Sequence, residues 1–88
     1  MAMFLVERDF SDEVNMSPED LKQIKQITNG LGADWLYTFL SVDRKKSYCL
    51  YEASDADQLL EHAKVVGLPL NSIVEVSRMW PEGAEFAR

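Results

Sequence analysis

The 88-residue chain contains one cysteine and one histidine, so a site that needs several thiolate or imidazole groups is excluded within one subunit. The lone Cys49 cannot form an internal disulfide, and it has no second cysteine with which to make a CxxC redox pair. A disulfide-stabilised secreted scaffold is therefore excluded, and the reducing cytoplasm is the expected location.

Positive charge and long apolar runs are also scarce. Nine Lys and Arg against fifteen Asp and Glu give a formal net charge of −6, which disfavours binding to a phosphate backbone. The basic cluster at residues 44–46 is typical of a solvated turn. The first ten residues, MAMFLVERDF, have no basic leader and only a short apolar run. Neither a nucleic-acid partner nor a membrane anchor is expected.

The best-specified part of the chain is a strand followed by a helix. The run Lys46–Ala53 (KSYCLYEA) is short and rich in aromatic residues, which favours a central strand. Ser54 is predicted to cap the next helix by accepting the backbone N–H of Asp57. Gly67 and Pro69 are predicted to end that helix, the first as a left-handed cap and the second as a block.

The remaining elements follow from similar signals. Residues 3–8 alternate as a first strand, and Ser17 followed by Pro18 predicts a helix that begins there. Two more strands are predicted at residues 34–42 and 71–79, with a turn at residues 43–45. The order is βαββαβ, in one domain at residues 1–81 with a C-terminal tail at residues 82–88.

This order predicts an α+β fold of the ferredoxin-like type, with two helices on one face of a four-stranded antiparallel sheet. The other face then carries a second apolar row, which includes Met3, Leu5, Tyr48, Leu50 and Ile73. Because an apolar patch of that size is rarely exposed on a monomer, we expect a homodimer in which two sheets stack as a dimeric α/β barrel. The alternative is partial cover by the tail at residues 82–88.

Six short stretches distributed along the chain have a recognisable combination of residues. They are LVER at 5–8, Ser41 with Asp43, YCLYEA at 48–53, EHA at 61–63, GLP at 67–69 and VEV at 74–76. In these stretches the chain resembles a family of small ferredoxin-like proteins of unknown function, whose characterised member is a bacterial nickel-binding dimer. The resemblance implies a dimeric barrel that binds a divalent metal such as nickel, with no organic cofactor and no known reaction.

His62 is the first candidate metal ligand, because imidazole is the side chain best suited to nickel. It is next to Glu61, a second candidate. The alternative is a half-buried histidine that is hydrogen-bonded to the backbone or to a carboxylate.

Acidic residues within the strands supply further candidates. Glu7, Glu52 and Glu75 share the alternation of the second apolar row, so they are expected to line or rim a cavity between the two sheets. Glu7 and Glu52 are assigned as metal ligands and Glu75 as a ligand-binding residue. The alternative is ion pairing with Arg8 or Arg78.

Tyr48 and Cys49 complete the candidate ligand-binding residues, although a strand tyrosine and a lone cysteine are more often core residues. A second possible function is a small barrel enzyme of the monooxygenase, isomerase or dehydratase type, by analogy of fold. It predicts a cavity that encloses Glu52, Tyr48 and His62. No nucleophile–base pair or phosphate-binding loop is recognisable, so a binding protein is favoured and no catalytic residue is assigned.

Overall fold

The computed structural model of the protein describes residues 1–79 and contains six elements in the predicted order. They are β1 (Ala2–Asp9), α1 (Pro18–Gly30), β2 (Asp34–Leu40), β3 (Lys46–Ala53), α2 (Ala56–Val66) and β4 (Ser72–Val76). The strands form one antiparallel sheet in the order β2-β3-β1-β4. The ferredoxin-like prediction is confirmed. The predicted domain end at residue 81 and the tail at residues 82–88 lie outside the described part.

The start of α1 is set by its own sequence, as predicted. The Ser17 hydroxyl accepts the backbone N–H of Asp20, and the Asp20 carboxylate accepts the backbone N–H of Ser17. Pro18 occupies the first turn, where a missing N–H leaves no hydrogen bond unmade. The two reciprocal bonds satisfy donors that a helix start leaves without partners.

The start of α2 is one residue later than predicted, so the assignment of Ser54 as its cap is wrong. Asp55 is the cap, and its carboxylate accepts the backbone N–H of Gln58 at 3.1 Å. The Gln58 side chain in turn accepts the backbone N–H of Ser54 at 2.8 Å. The observed helix start thus uses Asp55 and Gln58 rather than Ser54 and Asp57, although both pairs have the spacing of a capping box. The helix ends as predicted at Gly67, which has φ of 71°.

β1 is an inner strand of the sheet, because it pairs with β3 on one side and β4 on the other. Val6 lies opposite Cys49 in β3 and opposite Ile73 in β4. Residues of this face pack with the helices, and α2 contributes Leu59. The buried core cluster consists of Phe4, Val6, Ala33, Cys49, Tyr51, Ala53 and Leu59.

The sheet face away from the helices, here called the outer face, has a mixed character. It carries Glu7 and Glu52 together with aromatic and aliphatic side chains of all four strands. Three of these are exposed: Tyr37 by 43%, Phe39 by 62% and Val74 by 53%. The rings of Tyr37 and Phe39 meet edge to face, with centroids 5.4 Å apart.

The last strand differs from the prediction in length and in orientation. β4 covers Ser72–Val76 rather than residues 71–79. Ile73 pairs with Val6 and Glu75 pairs with Phe4, so both belong to the helix-covered face. The predicted placement of Ile73 and Glu75 with the second apolar row is therefore wrong. In a strand this short, the register against β1 decides which face each residue takes.

Candidate functional site

His62 lies between the two helices and the sheet, and its side chain is completely buried. Its Nε2 is 2.7 Å from the Thr28 hydroxyl, which donates its own proton to the Ile24 carbonyl at 2.7 Å. The Thr28 oxygen must therefore accept from His62, which places the proton on Nε2 and leaves Nδ1 as a lone pair. Burial, with a smaller effect of the Arg8 charge, lowers the pKa of His62 to about 4. The imidazole is neutral at pH 7.

Arg8 is the second buried polar residue in this region, with 1% of its surface exposed. Its Nη1 donates to the Pro69 carbonyl at 2.7 Å, and its Nη2 donates to the Tyr51 hydroxyl at 3.0 Å. Its Nε–H and the Nδ1 of His62 are both buried and have no hydrogen-bond partner among residues 1–79. Arg8 makes no ion pair in the described part of the chain. The predicted pairing of a strand acid with Arg8 is therefore not found within residues 1–79.

Tyr51 connects these two residues. It accepts the hydrogen bond from Arg8, and its ring meets the ring of His62 edge to face with centroids 5.6 Å apart. Burial raises the pKa of Tyr51 to about 12, because it outweighs the opposing effect of the Arg8 charge. The phenol therefore stays protonated and can act as a donor as well as an acceptor at physiological pH.

The four predicted metal ligands do not converge in one subunit. His62 is in the core, whereas Glu61 is exposed on α2. Glu52 lies opposite Met3 and Glu7 opposite Tyr48, so the two carboxylates are separated by four strand positions, roughly 13 Å. Among residues 1–79, no three His, Cys, Asp or Glu side chains form a group that could hold a metal ion.

The surroundings of His62 are also unfavourable for a metal cation in this conformation. Its Nε2 is engaged by Thr28, and its free Nδ1 lies in the field of the positively charged Arg8. A cation would have to approach a buried atom past a like charge, at a considerable electrostatic cost. Residues 1–79 of one subunit therefore do not fit a metal centre.

A cavity of about 280 Å³ lies on the helix-covered side of the sheet, beneath α1 and the segment at residues 10–16. Cys49 lines it, together with Arg8 and Tyr51. The other predicted ligand-binding residues, Tyr48 and Glu75, are not among its described lining residues. Glu52 and His62 are absent from that set too, so this is not the cavity that the enzyme hypothesis predicts.

The polar groups at the base of the cavity form a short chain of hydrogen bonds. The Trp35 indole donates to the Thr38 hydroxyl at 2.8 Å, and Thr38 donates to the Cys49 sulfur at 3.2 Å. Ser47 is 3.8 Å from the same sulfur. Cys49 is therefore both a core residue and a part of the cavity surface, and its thiol is held by two hydroxyl groups.

Sequence reasoning missed Arg8 and Tyr51 as the centre of a polar cluster. One signal was available: Arg8 has the same alternation as Phe4 and Val6, which are buried in the core. A charged residue in a buried row is uncommon and indicates a specific role. The partners of Arg8 could not be found this way, because Pro69 is 61 positions away.

Comparison with protein families now adds to this geometry. The family model described as "Nickel responsive protein SCO4226-like" matches residues 4–76, from within β1 to the end of β4. The chain belongs to this SCO4226-like family. The resemblance inferred from the sequence is thereby confirmed. A search of curated proteins finds no significant match.

A solved structure supports the same fold. The crystal structure of SCO4226 from Streptomyces coelicolor A3(2) superposes with a TM-score of 0.67 and 18% sequence identity. The match covers 85% of this chain and 95% of that chain. At this identity the likeness establishes the ferredoxin-like fold. In addition, none of the helices within residues 1–79 is long and apolar enough to cross a membrane.

Proposed function

We propose that the chain is a small homodimeric protein that binds a divalent metal of the nickel type, in a cytoplasmic role still to be found. The observation that carries this proposal is membership of the nickel-responsive SCO4226-like family over residues 4–76. A reducing compartment suits the buried free thiol of Cys49. The proposal divides into two parts that are tested separately, the dimer and the metal.

The outer face is the surface proposed for dimerisation. It exposes two aromatic rings, Tyr37 and Phe39, and the aliphatic Val74, which are side chains of the kind that form the centre of subunit interfaces. Two copies related by a twofold axis would bury the same patch on each subunit. Stacking of the two sheets would give the dimeric α/β barrel.

The metal is proposed to bind between the two subunits rather than within one. Glu7 and Glu52 lie on the outer face, and a twofold interface contains each of them twice. Four carboxylates can therefore surround a shared cavity, although one subunit cannot bring its own two together. Glu7 contacts Lys46 at 3.2 Å and would exchange that partner for the metal. His62 could join as a ligand only after it breaks its hydrogen bond to Thr28.

The dimer is tested by measuring molar mass with light scattering for the wild type and two variants. Phe39→Glu places a charge in the proposed interface and is expected to give a monomer. Val42→Glu is the matched control, because Val42 is fully exposed in the β2–β3 turn and should leave a dimer intact. A monomeric wild type, or equal behaviour of the two variants, contradicts the proposed interface.

The metal is tested by calorimetric titration of EDTA-stripped protein with nickel, zinc, copper and manganese. We expect saturable nickel binding that is lost in Glu52→Gln and kept in Glu61→Gln. The reason is that Glu52 lies on the outer face, whereas Glu61 lies on α2. Loss in His62→Ala with Glu52→Gln unaffected would move the site to the core. A confirmed dimer that binds none of the four metals contradicts the metal part.

A second function, binding of a small organic ligand, is favoured by one specific observation. The cavity of about 280 Å³ beneath α1 contains a buried guanidinium that makes no ion pair within residues 1–79. This cavity lies within a single subunit and is distinct from any space between stacked sheets.

A further inference from the structure

We propose that the cavity beneath α1 binds a small organic carboxylate with an apolar body, whose carboxylate is held by Arg8. This site is independent of the proposed metal and of the proposed dimer, because described residues of one subunit line it. Its volume of about 280 Å³ is near the lower end for small-molecule sites, which span roughly 300–1,000 Å³. The cavity therefore suits a ligand about as large as octanoate or benzoate.

The charge of the lining carries the first step of the argument. The protein has a net charge of −6, yet the described residues that line this cavity include Arg8 and Arg44 and no acidic residue. A concave site with one sign of charge and low-dielectric walls attracts ions of the opposite sign. This lining therefore favours an anion, even though the protein as a whole is negatively charged.

The state of Arg8 carries the second step. A guanidinium offers five N–H donors, and the structure gives Arg8 two acceptors, the Pro69 carbonyl and the Tyr51 hydroxyl. Both acceptors are neutral, and the Nε–H is buried with no partner in the described part of the chain. A buried charge is normally compensated by an opposite charge, and Arg8 lacks one among residues 1–79. A carboxylate in the cavity supplies that charge and accepts more than one N–H from the same group.

The groups around Arg8 fit the same ligand. Tyr51 accepts from Arg8 and keeps its phenolic proton, so it can donate to a bound oxygen. Ser47, which pairs with Arg8 across the β1–β3 ladder, also lines the cavity and has a hydroxyl to donate. A carboxylate has two oxygens and about four acceptor positions, which matches several donors on one side of a cavity.

The other walls determine the rest of the ligand. They are formed by apolar side chains of α1 and of the segment before it, which are Phe10, Val14, Met16, Leu21 and Ile24. Trp35 and Leu68 add to this apolar surface. Because such walls cannot hydrogen-bond a polar body, a ligand of alkyl or aryl character is favoured over a sugar or a polyol. Arg44 is exposed at the rim, where solvent weakens its attraction.

The test compares two ligands of the same size whose head groups are an anion and a neutral amide, octanoate and octanamide, by calorimetry and amide chemical-shift mapping with EDTA present. Octanoate is expected to bind once per chain and about tenfold or more tightly than octanamide, since a charge-assisted pair is lost in the amide. The shifted amides are expected in β1, β3 and α1. Equal affinity for the two ligands, shifts on the outer face, or no binding of either ligand to folded protein overturns the proposal.

Three variants identify the groups responsible. Arg8→Met keeps an unbranched side chain but removes the guanidinium, and it is expected to remove the preference for octanoate over octanamide. Arg44→Gln changes the rim charge and should weaken octanoate by no more than about threefold, as for an exposed ion pair. If Arg8→Met does not fold, Ile24→Trp tests the site instead. This substitution fills the cavity from α1, leaves Arg8 in the sequence and should abolish binding. Full octanoate affinity in Arg8→Met or Ile24→Trp contradicts the proposal.

Discussion

Glu7 and Arg8 are neighbours in β1, but they lie on opposite faces of the sheet and their charges have different surroundings. Glu7 lies on the outer face, where its carboxylate is partly exposed and contacts Lys46 at 3.2 Å. Arg8 points under the helices, where it is 1% exposed and contacts a carbonyl and a phenol instead of a carboxylate. The ion pair is found where water already screens charge, whereas the buried charge has only neutral partners among residues 1–79.

This contrast supports the proposed ligand site on the helix-covered face. A partly exposed ion pair contributes little to stability and needs no functional reason. A buried guanidinium without a counter-charge is costly, and a chain retains one where it serves binding or specificity. Arg8 on the helix-covered face therefore points more directly to a ligand than Glu7 and Glu52 do on the outer face.

The largest expected difference between the two faces is seen in a pair of phenylalanines. Phe4→Ala should lower the free energy of unfolding by about 3–5 kcal/mol, because the ring is buried in the core and its loss leaves a cavity. Phe39→Ala should lower it by less than about 1 kcal/mol in dilute monomeric protein, because the ring is 62% exposed. Chemical denaturation measures both. Equal losses would show that the outer face is as well buried as the core.

The next effect depends on pH and on His62. Its pKa is about 4 in the folded chain and about 6.5 when unfolded, so the unfolded chain binds more protons between these values. Stability should therefore fall as pH drops from about 6.5 to 4, by up to roughly 1.4 kcal/mol per pH unit from this residue. His62→Gln should lose that part of the pH dependence in denaturation curves. An unchanged slope in the variant would show that His62 is already solvated.

A smaller difference is expected between two tyrosines of β3. Tyr51→Phe removes the hydroxyl that accepts from Arg8, which leaves another buried donor without a partner and should cost about 1–3 kcal/mol. Tyr48→Phe on the outer face is the matched control, since Tyr48 is only partly buried. Thermal unfolding of both variants compares them. A larger loss for Tyr48→Phe would reverse the contrast between the faces.

The smallest effect is expected for the ion pair itself. Glu7→Gln keeps the shape of the side chain and removes its attraction to Lys46, which is exposed. In metal-free protein the denaturation midpoint should not change measurably, either in low salt or in 0.5 M NaCl, because solvent screens this pair. A marked loss that disappears in high salt would show that the outer face is less solvated than its exposure suggests.

Much of the fold could be predicted because its signals are local. Ser17 with Asp20 begins α1, and Gly67 ends α2, each through contacts within a few residues. The order of elements then leaves few compact arrangements, and the ferredoxin-like one is observed. Errors arose where two local choices were close, as with Ser54 and Asp55, or where pairing with a distant strand decided the face, as with Ile73.

The candidate site was harder to predict because its contacts are distant in sequence. Chemical reasoning about nickel selected His62, yet the structure gives this imidazole a threonine partner from the other helix. Arg8 was considered only as a partner for acids, since arginine is usually exposed. Its position beside Tyr51 and Pro69 depends on three separated segments, and no spacing rule connects them.

The central position of β1 also has a consequence for how the chain is made. Of the six elements, β1 is synthesised before the others, but one of its two partners, β4, ends at Val76. Until that strand has been synthesised, one edge of β1 has free backbone N–H and C=O groups and can pair with another chain. One edge of β1 therefore stays unpaired while residues 10–71 are synthesised, and completion of β4 removes the risk of pairing with another chain.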